Sequence, residues 1–372
     1  MVPRLYALLL LAKTPGQRLF VRPRVRFRVA AAFCAFAAIA GSADISLADE
    51  NGISFWVPGF FGSLAATPQQ PGWALASIYY HTSVSASGNI GVSREISIGK
   101  FNPTINVNVN ANLSGTGDLE LLAPSYVFAT PFFGGQASAT LLGIYGRNDA
   151  ALNATATVTP GPLTKSVALQ QSDIAFGDLI PQFAVRWNAG VNNYMTYLTG
   201  DIPVGKYDSS DLANLGIGHA ALDGGVGYTY FDPKAGNEFS ATFGLTGNFK
   251  NQSTGYTNGI DSHLDVGTSK FLTKQLQVGL VGYFYDQLTA DSGCAPVLCP
   301  FKSRVAGAGP QIGYIFPVGN MQGYVNVKGY KEFDAEDRPS GWNMWLTFVL
   351  SPAAPTAEPA PPPILTKAPP HG

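Results

Sequence analysis

The stretch "NEFSATFGLTGNFK", Asn237–Lys250, decides the fold. Successive side chains of a β-strand point to opposite faces. Read with that period, Phe239, Ala241, Phe243, Leu245 and Phe249 share one face. Glu238, Ser240, Thr242, Thr246, Asn248 and Lys250 share the other. "TINVNVNANL" (Thr104–Leu113) alternates in the same way, its asparagines opposing Ile105, Val107, Val109 and Ala111. In "QLQVGLVGYFYDQ" (Gln275–Gln287), Leu276, Val278, Leu280 and Phe284 oppose Gln275, Gln277, Tyr283, Tyr285 and Gln287.

Composition says which solvent meets the apolar face. Charged residues make up 13% of the 372, about half of the roughly 25% usual in a soluble domain. Glycine (42), tyrosine (16) and phenylalanine (23) are abundant, and the formal net charge is −1. Near-neutrality leaves no basic patch to displace phosphate counterions, which argues against nucleic acid. No segment beyond the N-terminal leader approaches the roughly 18 apolar residues of a membrane helix. Low charge without helical spans points to a transmembrane antiparallel up-and-down β-barrel, apolar outside and polar inside. A soluble β-sandwich would account for the alternation, but not for the low charge or the aromatic residues recurring at strand ends.

The pattern predicts strands near 73–85, 90–101, 104–113, 118–130, 135–147, 174–189 and 193–203. It continues with 219–231, 237–250, 261–272, 275–287, 304–316, 321–333 and 341–350. That makes fourteen, or twelve if the hairpin 90–113 is lost. Short connections such as 102–103, 190–192 and 273–274 alternate with longer ones such as 148–173, 204–218 and 288–303, as expected of inner turns and outer loops.

The flanks are of another kind. Arg18, Arg22, Arg24, Arg26 and Arg28 precede the apolar run Val29–Ala40. This reads as a signal peptide over residues 1–48, cut after Ala48 or alternatively Ala43. Residues 49–72 are aromatic and rich in Gly and Pro without strand alternation, so they form either an internal plug or a lead-in to the barrel at 73–350. Residues 351–372 carry eight prolines and read as an extended, disordered tail, a candidate site for a periplasmic partner. Cys294 and Cys299 in "CAPVLC" are expected to form a disulfide in an exported chain. A metal site there lacks a second ligand pair.

Several segments resemble the outer-membrane family known as the MetA pathway of phenol degradation. They are "FGDLIPQFAVRWN", "DIPVGKYDSSDLANLGIGH", "NEFSATFGLTGNFKNQSTGYTNGIDSHLDVG", "GLVGYFYDQLTADSG", "GPQIGYIFPVG" and "GYKEFDAEDRPSGWNMWL". The resemblance runs in order from about Gly117 to Leu350 and is more distantly similar to fourteen-stranded fatty-acid and hydrocarbon channels. It implies a protein in the outer membrane of a Gram-negative bacterium, linked to uptake of phenol-like or other hydrophobic compounds, with no cofactor. Ala220 after His219, and the "CAPVLC" insert, depart from the family pattern.

Catalytic constellations are sparse. His263 lies beside Ser262 and Asp265, but on a strand Ser262 and His263 point to opposite faces, which counts against a hydrolase. "DSSDLANLG" lacks the ligand spacing of a calcium loop. Apolar parity outward places Gln182, Arg186, Glu238, Lys250, Asp265, Gln277, Tyr283, Tyr285 and Gln287 in the lumen, with His263 on the face of Asp265. Asn326, Lys328, Tyr330 and Glu332 join them from the penultimate strand. Charges of both signs do not make an ion filter, whereas tyrosine rings with their hydroxyls suit phenolic solutes. The same residues would equally fill the barrel by bonding to one another. The expectation is a non-enzymatic, passive channel for small hydrophobic or aromatic solutes. The competing class is a structural or adhesion-type anchor whose loops or tail bind a partner.

Overall fold

A computed structural model describes residues 54–95, 104–159, 163–293 and 302–354. Within them run twelve strands, beginning with β1 (Gly72–Glu95), β2 (Thr104–Val127), β3 (Gln136–Thr159), β4 (Leu163–Ala189), β5 (Asn192–Asp201) and β6 (Ala221–Asp232). They continue with β7 (Asn237–Asn248), β8 (Asp261–Phe271), β9 (Leu276–Gln287), β10 (Arg304–Val318), β11 (Met321–Glu336) and β12 (Ser340–Pro352). Each strand pairs antiparallel with its sequence neighbours. Pairing of β1 with β12, from Leu75↔Leu350 to Ser85↔Ser340, closes the sheet. Closure leaves no sheet edge at membrane depth, where water cannot satisfy one.

Among the described residues the barrel has twelve strands, the alternative to fourteen that the sequence left open. The predicted strand 73–85 and the described part of 90–101 are one strand, β1, and 104–113 continues into the predicted 118–130 as one strand, β2, ending at Val127. The predicted long connection 148–173 is mostly the outer ends of β3 and β4. Gly115 and Gly117 read as turn residues, yet they stay extended opposite Val84 and Thr82, because a neighbouring strand supplies continuous pairing. Partner context overrides local propensity in a sheet. The expected turn at 102–103, the signal peptide, the Cys294–Cys299 bridge and the tail from 355 onward lie outside the described residues.

Side-chain alternation sorts inside from outside. Along β7, Phe239, Phe243 and Leu245 are exposed, whereas Glu238, Ser240, Thr242 and Thr246 are buried. β12 exposes Trp342, Leu346 and Phe348 and buries Asn343 and Trp345. Exposed large apolar side chains recur on every strand from β1 to β12, far more than the few hundred Å² patches of a soluble monomer. This band is the lipid-facing surface, and the packed interior lies in the lumen.

Depth along the strand sets the tolerance of this band. Phe243→Arg, mid-strand, is expected to cost about 2–4 kcal/mol of folding stability in lipid, and Phe333→Arg, beside Lys331 at the outer end of β11, about 0–1. Denaturant titration of the barrel in phospholipid vesicles measures both.

Candidate functional site

The chain entering β1 does not approach it from outside. Residues 54–70 lie inside the barrel, turning irregularly, with Phe60 N donating to Val57 O (3.2 Å) and Thr67 N to Leu64 O (3.0 Å). Irregular backbone withdrawn from water needs partners from elsewhere. Polar side chains of β3, β4, β6, β7, β8, β10 and β11 supply them.

Asp265 on β8 accepts from Gly59 N (2.9 Å) and Phe61 N (3.1 Å). From β11, Lys328 Nζ donates to the carbonyls of Gly59 (2.5 Å), Phe60 (3.3 Å) and Phe61 (3.0 Å). An anion for the amides and a cation for the carbonyls thus clamp one short stretch. Glu238 accepts from Leu64 N (2.9 Å) and Ser63 Oγ (2.7 Å), and is held by Ser240 Oγ (2.5 Å) and Ser269 Oγ (2.8 Å). Thr229 Oγ1 accepts from Ala66 N (3.1 Å), Gln311 Nε2 donates to Ser63 Oγ (2.6 Å), and Arg186 Nε donates to Ala65 O (3.2 Å). Gly59 sits at φ +87°, and a Cβ there would stand 3.0 Å from the Tyr330 ring.

Above the clamp, the Trp56 indole stacks on the His263 imidazole, with centroids 3.5 Å apart and planes 12° off parallel. His263 Nε2 lies 2.9 Å from Asp223 Oδ2, which also accepts from Thr246 Oγ1 (2.6 Å). A side chain at Gly244 would collide with both His263 and Tyr197, so glycine makes room for this cluster. His263 and Asp265 share a face as expected, but the histidine is bound to Asp223, and Asp265 holds the plug. Ser262 Oγ donates to Asp286 O (3.0 Å) rather than to His263.

The other sequence-predicted residues fall as follows. Tyr283 OH donates to Glu332 Oε1 (2.8 Å) and accepts from Asn343 Nδ2 (2.9 Å), and its ring packs 4.8 Å from that of Tyr330. Gln277 Nε2 donates to Tyr324 OH (2.7 Å), and Asn326 Nδ2 to Ile312 O (3.1 Å). Tyr285 is buried, with the Arg338 guanidinium 5.0 Å above its ring. Gln287 reaches the outer connection, donating to Asp291 Oδ1 (2.5 Å). Gln182 is half-buried on β4. Lys250 is the misplaced one: β7 ends at Asn248, and Lys250 is exposed in the outer connection, where parity no longer operates. In the outer loop 202–220, Asp208 accepts from the Ser210 hydroxyl and amide, which hold its carboxyl below the usual range. Asp178 ties the loop down by accepting from Gly205 N and Ile217 N. Among the described residues, no group of three His, Cys, Asp or Glu could hold a metal ion.

The opposite wall was not read from the sequence. Ala74, Ala76, Ile78 and Tyr80 on β1, Leu121 and Ala123 on β2, Leu142 and Ile144 on β3, and Ile180 on β4 face inward. Together with Phe55, Trp56, Val57 and Phe60 of the plug they enclose a cavity of about 480 Å³. The outer face here is partly polar. Tyr79 OH donates to Asp118 Oδ1 (2.5 Å), which lies 2.7 Å from His81 Nδ1, and Ser77 Oγ donates to Glu120 Oε1 (2.5 Å). Parity reading assigns apolar residues outward and so fails where the inward face is apolar and the outward one partly polar. The available signal was near-continuous apolar runs, "ALASIYY", "LELLA" and "TLLGI", in place of clean alternation.

A family model described as "Putative MetA-pathway of phenol degradation" matches residues 95–348. None of the curated proteins matches the sequence. Among solved structures, the COG4313 outer membrane channel from Pseudomonas putida F1 superposes with a TM-score of 0.55 at 13% identity, covering 79% of this chain and 98% of its own. That likeness establishes a shared fold. Acinetobacter baumannii OccAB4 (8% identity, 76% and 99% coverage) and Pseudomonas aeruginosa OccK10 (9%, 74% and 97%) superpose with TM-scores of 0.27. At that level they add nothing to the fold assignment.

Removing one side of the clamp orphans buried backbone groups, at about 1–3 kcal/mol each. Asp265→Ala and Lys328→Met are each expected to raise single-channel conductance and expose residues 54–68 to protease. The double variant should lose less than the sum, since both act on residues 59–61. Gly59→Ala should act in the same direction, because the left-handed backbone costs a side chain about 1–2 kcal/mol. Proteolysis of the reconstituted barrel reads all four variants against the parent.

Proposed function

The chain belongs to the family described as the putative MetA-pathway of phenol degradation, and from that premise we propose an outer-membrane channel for passive uptake of small hydrophobic and aromatic compounds. One observation carries this reading: the lumen is divided. Much of the polar wall is engaged by the plug, and the space left open is bounded in mid-barrel by aliphatic and aromatic side chains, with polar ones gathered toward its inner end. A sugar passing the mid-barrel stretch would shed its hydration without replacement hydrogen bonds there. An aromatic ring would gain roughly 25 cal/mol for each Å² of apolar surface withdrawn from water. The cavity reaches from Tyr80 and Ile144 in mid-barrel to Gln69, Gln322 and Ser351 at the end where the inner turns lie. Solute would move down its own gradient between the outer loops and the periplasm. The apolar exterior and the fold shared with an outer-membrane channel support the location.

Proteoliposome flux tests the reading, with phenol and p-cresol compared with arabinose above a protein-free background. The phenols should pass several-fold faster, and Ala123→Trp, which fills the cavity, should remove most of that advantage. Equal rates for phenol and arabinose would sink selectivity. No flux through a folded barrel would favour a binding or structural role.

A further inference from the structure

We infer that the inner end of the cavity binds the anionic head of a hydrophobic acid, a carboxylate on an aromatic or alkyl body, with Arg186 as its ligand. This rests on the channel reading above and names a solute class within it. Arg186 is the one charged side chain among the described residues lining the cavity. It is 9% exposed, and no carboxylate among the described residues lies within 4.0 Å of it.

A guanidinium carries five N–H donors. Two find protein acceptors, Ala65 O at 3.2 Å and Ser138 Oγ at 2.9 Å, which leaves three (five less two) without one among the described residues. Lys328, the other lumen cation of the plug, differs: its ammonium meets three carbonyls and is fully engaged. A buried charge without a counter-ion is strongly unfavourable, and planar guanidinium donors match a carboxylate in bidentate geometry.

The surroundings fit one orientation. Thr140 and Gln182, partners in the β3–β4 register, line the same cavity farther along these strands toward mid-barrel and offer further polar contacts. Deeper in, Leu121, Leu142 and Ile180 offer only apolar surface. A solute would lie with its carboxylate at the inner end and its ring or chain toward mid-barrel. The volume of about 480 Å³ is in the usual range for small-molecule sites.

The rival role for Arg186 is a strut for the plug through Ala65, and the test separates the two. Calorimetric binding of p-toluate and of its neutral isostere p-toluamide is measured on the detergent-solubilised full chain and on Arg186→Gln and Arg186→Lys. We expect the parent to prefer toluate by about tenfold or more, equivalent to about 1.4 kcal/mol. Arg186→Gln should abolish that preference by weakening toluate alone, and Arg186→Lys should retain part of it. Equal affinities in the parent overturn the inference and leave the channel reading intact, as does an equal loss of both compounds in Arg186→Gln. If the parent binds neither compound, both readings fall.

Discussion

Backbone N–H and C=O groups withdrawn from water must find partners, and in this chain that requirement acts twice. In the wall it is met by strand pairing, completed where Leu75–Ser85 of β1 meets Ser340–Leu350 of β12. Inside the lumen it falls on residues 54–70, which have no ladder of their own and take their partners from side chains of the barrel. Asp265, Lys328 and Glu238 are therefore structural acceptors and donors for a strand-less segment before they are anything else. The cost of burying their charge is offset by hydrogen bonds that the plug could obtain from no other source.

The division of the lumen follows from this arrangement. Polar side chains that hold the plug are concentrated on β6–β8, β10 and β11, whereas Ala76, Ile78, Leu121, Leu142 and Ile144 make the mid-barrel inward faces of β1–β3 apolar. The outward face of β1 and β2 carries Tyr79, His81, Asp118 and Glu120, a partial exchange of the usual inside and outside chemistry. A cavity bounded by aliphatic wall on one side and by Phe55, Trp56 and Phe60 on the other suits solutes that dissolve poorly in water. The unshared donors of Arg186 supply one polar landmark within it.

Sequence reasoning did best where a single strand faces two unlike environments. Glu238, Asp265, Gln277, Tyr283, Lys328 and Glu332 were placed inward by parity alone, and all are buried there. It failed at Lys250, just past the end of β7, where alternation no longer carries information. It also divided β1 and β2 in two, because Gly, Ser and Asn favour turns locally and only a paired neighbour keeps them extended. The wall formed by Ile78, Leu121 and Leu142 escaped notice because parity turns apolar residues outward, and here the inward face is apolar while the outward one is partly polar.

By itself the sequence determined that the chain is a barrel in a membrane and which face of each alternating strand turns inward, because period and low charge are properties of the chain alone. Only the tertiary structure decided that residues 54–70 lie within the lumen, that His263 answers to Asp223 rather than Asp265, and that Arg186 has no carboxylate partner among the described residues. Those facts depend on which strands face each other across the barrel. Separations of about two hundred residues, such as Gly59 to Asp265, leave no trace in local pattern.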